Sequence, residues 1–403
     1  MVTSNSTLAL HGGRPLRSKP FPSWPQFDEN EERRLLRTLR SGKWFRFDGE
    51  EVRKFEEAFA EAHDSRFGLA VSSGTTALEA GLTALNLEPG DEVLVPSYTF
   101  VATATAVIVS SGTPVFVDVS LDTLNIDLAH AERCITPRTR AIVPVHFAGL
   151  PCDMEAVNAF AAKHNLRVVE DAAHAHGARW DGKGVGSHGD IAGFSFQASK
   201  NMTGGEGGIV LTDDEALFTQ VVSRHSYGQR PGHPWYSHHV VSTNLRMTEW
   251  QGAILRSQLE RMPGQNRRRL ENARLLDQAI ASLPGLSLIG SADPRAADRA
   301  YHLYCFRFEP SGTVSKKSFC EALEAEGIPC AAGYPFPLYR QPLFESVQSP
   351  PDQPVYSELN LPQAEQACRE VVWFRQNALL GEEEDTRDIV RALEKVLEQK
   401  ESL

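Results

Sequence analysis

Seven short apolar runs, at 67–71, 91–96, 114–119, 141–146, 167–171, 191–196 and 207–212, punctuate the first half of the chain. Runs of five or six apolar residues bounded by turn-formers read as strands buried on both faces. Helix-like stretches at about 74–87, 99–111, 127–134 and 152–164 lie between the first five runs. This alternation predicts an α/β fold, with a mostly parallel seven-stranded sheet covered by helices on both faces. Ligands of such sheets sit outside the carboxyl ends of the strands.

The pattern then changes. A polar, histidine-rich segment, Arg224 to His239, leads to a helix opened by Thr248 with Gln251 three residues on, a capping-box arrangement. From about 256 the chain reads as a charged helix, Pro/Gly turns, a strand at 302–308, a helix at about 315–326 and a last helix at 386–399. In that last helix Ile389, Leu393, Val396 and Leu397 form an apolar stripe of the kind that packs on a core. The shift divides the chain into a large domain, 1–255, and a smaller α+β domain, 256–403.

Size and charge narrow the function. At 403 residues the chain exceeds one ordinary core and suits two domains. Its 41 basic and 52 acidic residues give a net charge of −11, which argues against nucleic acid or an anionic membrane as partner. Six cysteines, at 134, 152, 305, 320, 330 and 368, form no CxxC pair and read as reduced thiols in a cytoplasmic protein. The segment MVTSNSTLALHGGRPLRSKP lacks the apolar core of a signal peptide, and the longest apolar run, Val101 to Val109, is far short of a membrane span. His174, His176 and His188, or His238 with His239, come without HExxH or a Cys/His ligand set, so no metal site is expected. Neither Gly182 to Gly186 nor Gly204 to Gly208 follows a strand and opens a helix with the spacing of a dinucleotide fingerprint.

Three segments carry chemistry. Gly193 to Asp213, GFSFQASKNMTGGEGGIVLTD, sets Lys200 between an aromatic/serine strand and a glycine-dense turn, the setting of a Schiff-base nucleophile. Arg167 to Gly177, RVVEDAAHAHG, ends a buried strand on Asp171. In Phe67 to Leu87 a short strand runs through Ser72, Ser73, Gly74, Thr75 and Thr76 into an Ala/Leu-rich helix, whose free N–H groups and positive dipole end suit a phosphate. Phosphate cradle, buried carboxylate and lysine together are the parts of a pyridoxal 5'-phosphate site. Each part alone has a plainer reading: a surface lysine, a strand-end cap, an N-cap.

In SGTTAL at 73–78, GDEVLVPSYTFVATATAV at 90–107, VVEDAAHAHGA at 168–178, SFQASKNMTGGEGG at 195–208 and NLRMTEWQGAIL at 244–255, the chain resembles the DegT/DnrJ/EryC1/StrS sugar aminotransferases. Within that family FPSWPQFDENEERRLL, SGKWFRFDGEEV and PVHFAGLPCDM are most similar to the branch of aminocyclitol aminotransferases and 3-amino-5-hydroxybenzoate synthases. The resemblance implies a fold-type I transferase dependent on pyridoxal 5'-phosphate, with a small C-terminal domain that also takes in the N-terminal segment. It implies that Lys200 carries the cofactor aldehyde and serves as base, that Asp171 pairs with the pyridine nitrogen, and that His174 lies near the ring. Ser195, Gly74, Thr75 and Thr76 are implied to hold the phosphate, and Phe100 to stack on the pyridine. Asn244 is implied to reach the phosphate of a neighbouring subunit, hence a homodimer with shared sites.

The expected partners are an amino donor, glutamine or glutamate, and a keto-sugar or keto-cyclitol acceptor. An aromatising 3-amino-5-hydroxybenzoate synthase and a nucleotide-sugar aminotransferase use the same cofactor residues, and a non-catalytic regulator that binds the cofactor is a reading of another class. Residues expected to separate the enzymes line the substrate pocket, with Trp44, Phe45, Tyr334 and Tyr339 as candidates. Arg246 and Arg340 are candidate grips for a donor carboxylate, with surface ion pairs as the competing reading.

Overall fold

The computed structural model describes residues 7–230, 232–310 and 314–403. Two helices, α1 (Glu29–Ser41) and α2 (Glu51–Ala62), precede the first strand. Sequence pattern had not marked either, although α1 opens with a capping box: Asp28 Oδ1 accepts from the Asn30 N–H at 2.7 Å, and Glu31 Oε2 from the Asp28 N–H at 3.0 Å.

The expected strands form as β1 (Phe67–Val71), β2 (Glu92–Pro96), β3 (Thr113–Val117), β4 (Thr139–Ile142) and β5 (Arg167–Asp171). A two-residue hairpin, β6 (Arg179–Trp180) and β7 (Lys183–Gly184), intervenes before β8 (Ile191–Ser195) and β9 (Gly208–Thr212). The seven-stranded sheet runs β1, β9, β8, β5, β4, β2, β3. Only β9 is antiparallel to its neighbours β1 and β8; the remaining pairings are parallel. Connecting helices are α3 (Gly74–Ala84), α4 (Ala102–Val109), α5 (Leu128–Arg133) and α6 (Met154–His164), all at the stretches the pattern predicts. An unpredicted helix, α7 (Glu215–His225), takes in the first residues of the histidine-rich segment.

Helix α8 (Glu249–Ile280) starts where Thr248 was expected to open it, and the Gln251 side chain accepts from the Thr248 N–H at 2.9 Å. It runs unbroken for 32 residues past Pro263, so residue 255 lies inside it. Beyond it, β10 (Leu286–Leu288), β11 (Leu303–Phe308) and β12 (Val371–Arg375) form an antiparallel sheet with β11 in the middle. Helices α9 (Lys316–Ala325), α10 (Pro362–Glu370) and α11 (Glu383–Glu398) complete this part. Ile389, Leu393, Val396 and Leu397 of α11 are buried in the same core as Phe306 and Phe374. Among the described residues no helix is long and apolar enough to cross a membrane.

The N-terminal segment is tied into this second core. Leu8 is fully buried there, and the Glu326 carboxylate accepts from the N–H groups of Ala9 (2.8 Å) and Leu16 (3.0 Å) and from Lys395 Nζ (2.8 Å). Removing that carboxylate strands a buried ammonium and two backbone donors. Glu326→Ala is therefore expected to cost about 3–5 kcal/mol, read as a lower midpoint of urea unfolding with the far-UV circular dichroism unchanged in buffer.

Candidate active site

The carboxyl end of the sheet opens into a cleft of about 460 Å3. Gly74, Thr75, Phe100, Asp171, His174, Ser195 and Lys200, drawn from four separate segments, all line it. Thr76 and Asn244 do not.

Asp171 ends the central strand β5 and is 5 % exposed. Among the described residues no arginine pairs with it. Thr103 on α4 donates to Oδ2 at 2.7 Å and the Ala173 N–H to Oδ1 at 3.2 Å. Burial raises its pKa above the ordinary aspartate range, against the pull of Thr103, the Ala173 N–H and the Lys200 charge. The preceding Glu170 shows the opposite outcome. It too is buried, but its carboxylate accepts from His146 Nε2 (3.0 Å) and from the N–H groups of Gly186, His188 and Gly189 at 2.6–2.8 Å. Burial acts on it as well, yet His146 and these donors win and hold its pKa at about 2. Adjacent carboxylates on one strand thus differ: one is saturated with donors, the other is left with open acceptor positions.

Lys200 sits in the loop between β8 and β9, and its Nζ has no hydrogen-bond partner among the described residues. Burial lowers its pKa to about 8, with Asp171 pulling upward. Ser195, the last residue of β8, pairs in register with Gly208, the first of β9, so the lysine loop leaves and re-enters the sheet at one point.

Ser195 also faces the start of α3. A Cβ on Gly74 would lie 2.9 Å from Ser195 Oγ and closer still to its Cβ, and one on Gly208 would lie 2.9 Å from the Gly74 nitrogen. Only glycine fits this approach. The Ser73 hydroxyl accepts from the Thr76 N–H at 3.1 Å, and Thr76 Oγ1 accepts from the Ser73 N–H at 2.9 Å. The capping box therefore takes both polar groups of Thr76, and the first-turn N–H groups of Gly74 and Thr75 are the ones left for a ligand.

His174 Nδ1 accepts from the Ala148 N–H at 3.2 Å, and its ring lies 4.3 Å from that of His302. Phe100 is 57 % exposed at the lip. Tyr334 lines the cleft as expected, together with Trp373 of β12, which sequence reasoning did not mark. His302 was likewise missed; a lone histidine opening the apolar run 302–308 was its only local signal.

The other pocket candidates lie elsewhere. Tyr339 is buried against Glu365, to which its hydroxyl donates at 2.7 Å, and Arg340 Nε donates to the same oxygen at 2.7 Å. Arg340 is thus committed to an ion pair. Trp44 and Phe45 are about half exposed, on a face with Tyr227, Asn244 and Arg246. Arg246 stacks 5.3 Å over Phe45 and 4.8 Å over Tyr227, Trp44 lies 5.4 Å from Trp250, and Asn244 Oδ1 accepts from the Arg246 N–H at 3.1 Å. Among the described residues no cluster of His, Cys, Asp and Glu is arranged to hold a metal.

A doubly wound α/β sheet with a desolvated lysine, a sparsely hydrogen-bonded buried carboxylate and a glycine-lined helix start at its carboxyl end defines a fold-type I transferase of the pyridoxal 5'-phosphate-dependent class. The model of the DegT/DnrJ/EryC1/StrS aminotransferase family matches residues 25–394, and the chain belongs to that family. An L-glutamine:2-deoxy-scyllo-inosose aminotransferase of Micromonospora echinospora is 36% identical over 411 residues, 96% of this chain and 97% of that one. A 3-amino-5-hydroxybenzoate synthase of Amycolatopsis mediterranei is 35% identical over 91% of this chain and 95% of its own. The crystal structure of a 3-amino-5-hydroxybenzoic acid synthase superposes with a TM-score of 0.88 at 34% identity, covering 94% of this chain and 99% of that one.

The lysine's desolvation has a direct readout. In cofactor-free protein, reaction of Lys200 with a trace acylating reagent is expected to rise with a midpoint near pH 8; a midpoint above 10 would mean an ordinary solvated amine.

Proposed function

We propose that this protein moves an amino group from glutamine or glutamate to a ketone on a sugar or cyclitol ring, with pyridoxal 5'-phosphate held in the cleft. The observation that carries this reading is the convergence of Lys200, Asp171 and the α3 start in one cavity. When bound, the cofactor supplies an aldehyde that exchanges nitrogen and a ring that accepts carbanion charge.

The residues present fit that group. Ser195 Oγ, the Thr75 hydroxyl and the N–H groups of Gly74 and Thr75 offer donors to a phosphate at the positive end of α3. Asp171 takes one protein hydrogen bond on each oxygen, leaving lone pairs for a pyridine N–H. Phe100 offers an open ring face and His174 a ring nitrogen. Lys200 Nζ, about half neutral near pH 8, is the group that would hold the cofactor aldehyde. As a free amine the same nitrogen would take a proton from the donor's Cα and, in the return direction, deliver one to the ring carbon that bore the ketone.

The cyclitol aminotransferase relative supports a ring ketone as acceptor and glutamine as donor. Lys200 is the one cation lining the cleft among the described residues, which favours an acceptor without a diphosphate. The second reading, an aromatising 3-amino-5-hydroxybenzoate synthase, is supported by the similarity of that enzyme in sequence and fold. Six free thiols among the described residues suit a reducing cytoplasm. We read the chain as a large part over 1–255 and a small part over 256–403, joined by α8 and with the N-terminal segment packed on the small part.

Titration of the cofactor-loaded protein with glutamine and then glutamate decides between the readings. Loss of the visible absorbance band, regained on adding a ring ketone, is the expected outcome; a band that no donor discharges moves the synthase ahead. Lys200→Ala should lower turnover about 1,000-fold or more, whereas a regulator that binds without reacting would keep its function. Gly74→Ala crowds the Ser195 approach and should weaken cofactor affinity roughly 10- to 100-fold, measured by fluorescence titration.

We infer further that two copies share their sites. Asn244 lies outside its own cleft, on the face that exposes Trp44, Phe45 and Tyr227, and an aromatic face of this kind suits a second protomer. Mixing Lys200→Ala with Asn244→Ala chains and allowing subunit exchange should restore about a quarter of wild-type activity, since half the dimers then carry one intact site of two. No recovery would place Asn244 in its own subunit's chemistry or in none.

A further inference from the structure

His302 has no place in the cofactor chemistry above, yet it lines the cleft beside His174 with the rings inclined at 37°. The partners of the two rings assign opposite tautomers. His174 Nδ1 accepts a backbone N–H at 3.2 Å, so its proton is on Nε2. His302 Nδ1 faces Asn201 Oδ1 at 3.2 Å. That amide is oriented by its own donation from Nδ2 to the Ala300 carbonyl at 2.7 Å, so oxygen faces the ring. His302 therefore carries its proton on Nδ1 and a lone pair on Nε2. Neither Nε2 has a partner among the described residues, and neither is sealed from solvent.

Both rings stay neutral. Burial holds each well below the ordinary histidine pKa, and the charge of Lys200 and the neighbouring histidines add to it. The cleft thus presents a fixed donor and a fixed acceptor side by side. The cofactor's pyridine N–H would be met by Asp171, and the His174 N–H would suit an acceptor on the same group. A lone pair on His302 calls for a donor from the other reactant.

We propose that His302 is a specificity residue whose Nε2 accepts a hydrogen bond from one hydroxyl of the ring substrate, with His174 of opposite polarity beside it. This rests on the ring-ketone reading given above, and it adds which group of the acceptor is read and by which atom.

Two measurements test it. In cofactor-free full-length protein labelled with 15N-histidine, His302 should show a protonated Nδ1 and a bare Nε2, with His174 the reverse, and Asn201→Leu should abolish the His302 preference. A proton on His302 Nε2 in the wild-type protein overturns the proposal. In the loaded enzyme, kcat/KM is compared for a polyhydroxylated cyclohexanone and analogues each lacking one hydroxyl. His302→Phe should lower kcat/KM about tenfold for the parent, and the penalty should vanish for one analogue only. His302→Gln, whose amide oxygen can accept, should recover part of the discrimination. An equal loss on every ketone sinks this inference alone. A wild-type enzyme that is discharged by glutamine but aminates no ring ketone sinks the ring-ketone reading, and the hydroxyl contact with it.

Discussion

Asp171 is carried into the interior by the central strand, and among the described residues its carboxylate meets no guanidinium there, only the Thr103 hydroxyl and one backbone N–H. A carboxylate so placed keeps much of its desolvation cost and gains most from a further donor or cation. Lys200 shares the cleft with Asp171, and the attraction runs both ways: burial depresses the lysine pKa while the acid lifts it, leaving the amine at about 8. Glu170, one residue earlier, shows what a full set of donors does to the same side-chain chemistry. The sparse solvation of Asp171 therefore leaves the cleft receptive to a further hydrogen-bond donor.

Around that acid the cleft is built from both sheets. The parallel sheet supplies the polar floor: Ser195, the glycine-lined start of α3, and the lysine loop. The small antiparallel sheet supplies the wall, with His302 and Leu303 at the start of β11 and Trp373 on β12. Behind the floor, Arg269 is fully buried; it donates to the amide oxygens of Gln376 and Asn266, lies 5.6 Å from the Trp24 ring, and burial depresses its pKa to about 9. Asn266 in turn donates to the His176 carbonyl, and His176 Nε2 to that of Ser195. Hydrogen bonds thus connect α8 to the residue from which the lysine loop departs.

The large sheet was legible in the sequence because strands buried on both faces must be continuously apolar, and each of the seven runs lies within about two residues of its strand start. Lys200, Asp171, Ser195 and Gly74 were legible through their neighbours: a strand end, a glycine turn, a helix start. Short or ambiguous elements were not. Three residues of β10 leave no periodicity, VVWF of β12 reads equally as a helix face, and α7 was hidden by its polar opening. Nothing local distinguishes the Thr76 hydroxyl as a cap from the Thr75 hydroxyl as a cleft group. The His174 and His302 tautomers depend on Ala148 and Asn201, partners 26 and 101 residues away. Trp44 and Phe45 were expected in the substrate pocket, but nothing local says which face they occupy, and they lie outside the cleft.

The single reversed strand, β9, has a consequence for how this scaffold can vary. Because Ser195 and Gly208 are paired across β8 and β9, the twelve residues between them form an arch with both feet clamped to one rung of the sheet. A residue inserted or deleted in the arch cannot be absorbed by sliding either strand, since a one-step slip would exchange the two differently packed buried faces of β8 and β9. A change of arch length would therefore be borne by the loop that holds Lys200, and variation in the cleft's shape falls more readily to the opposite wall.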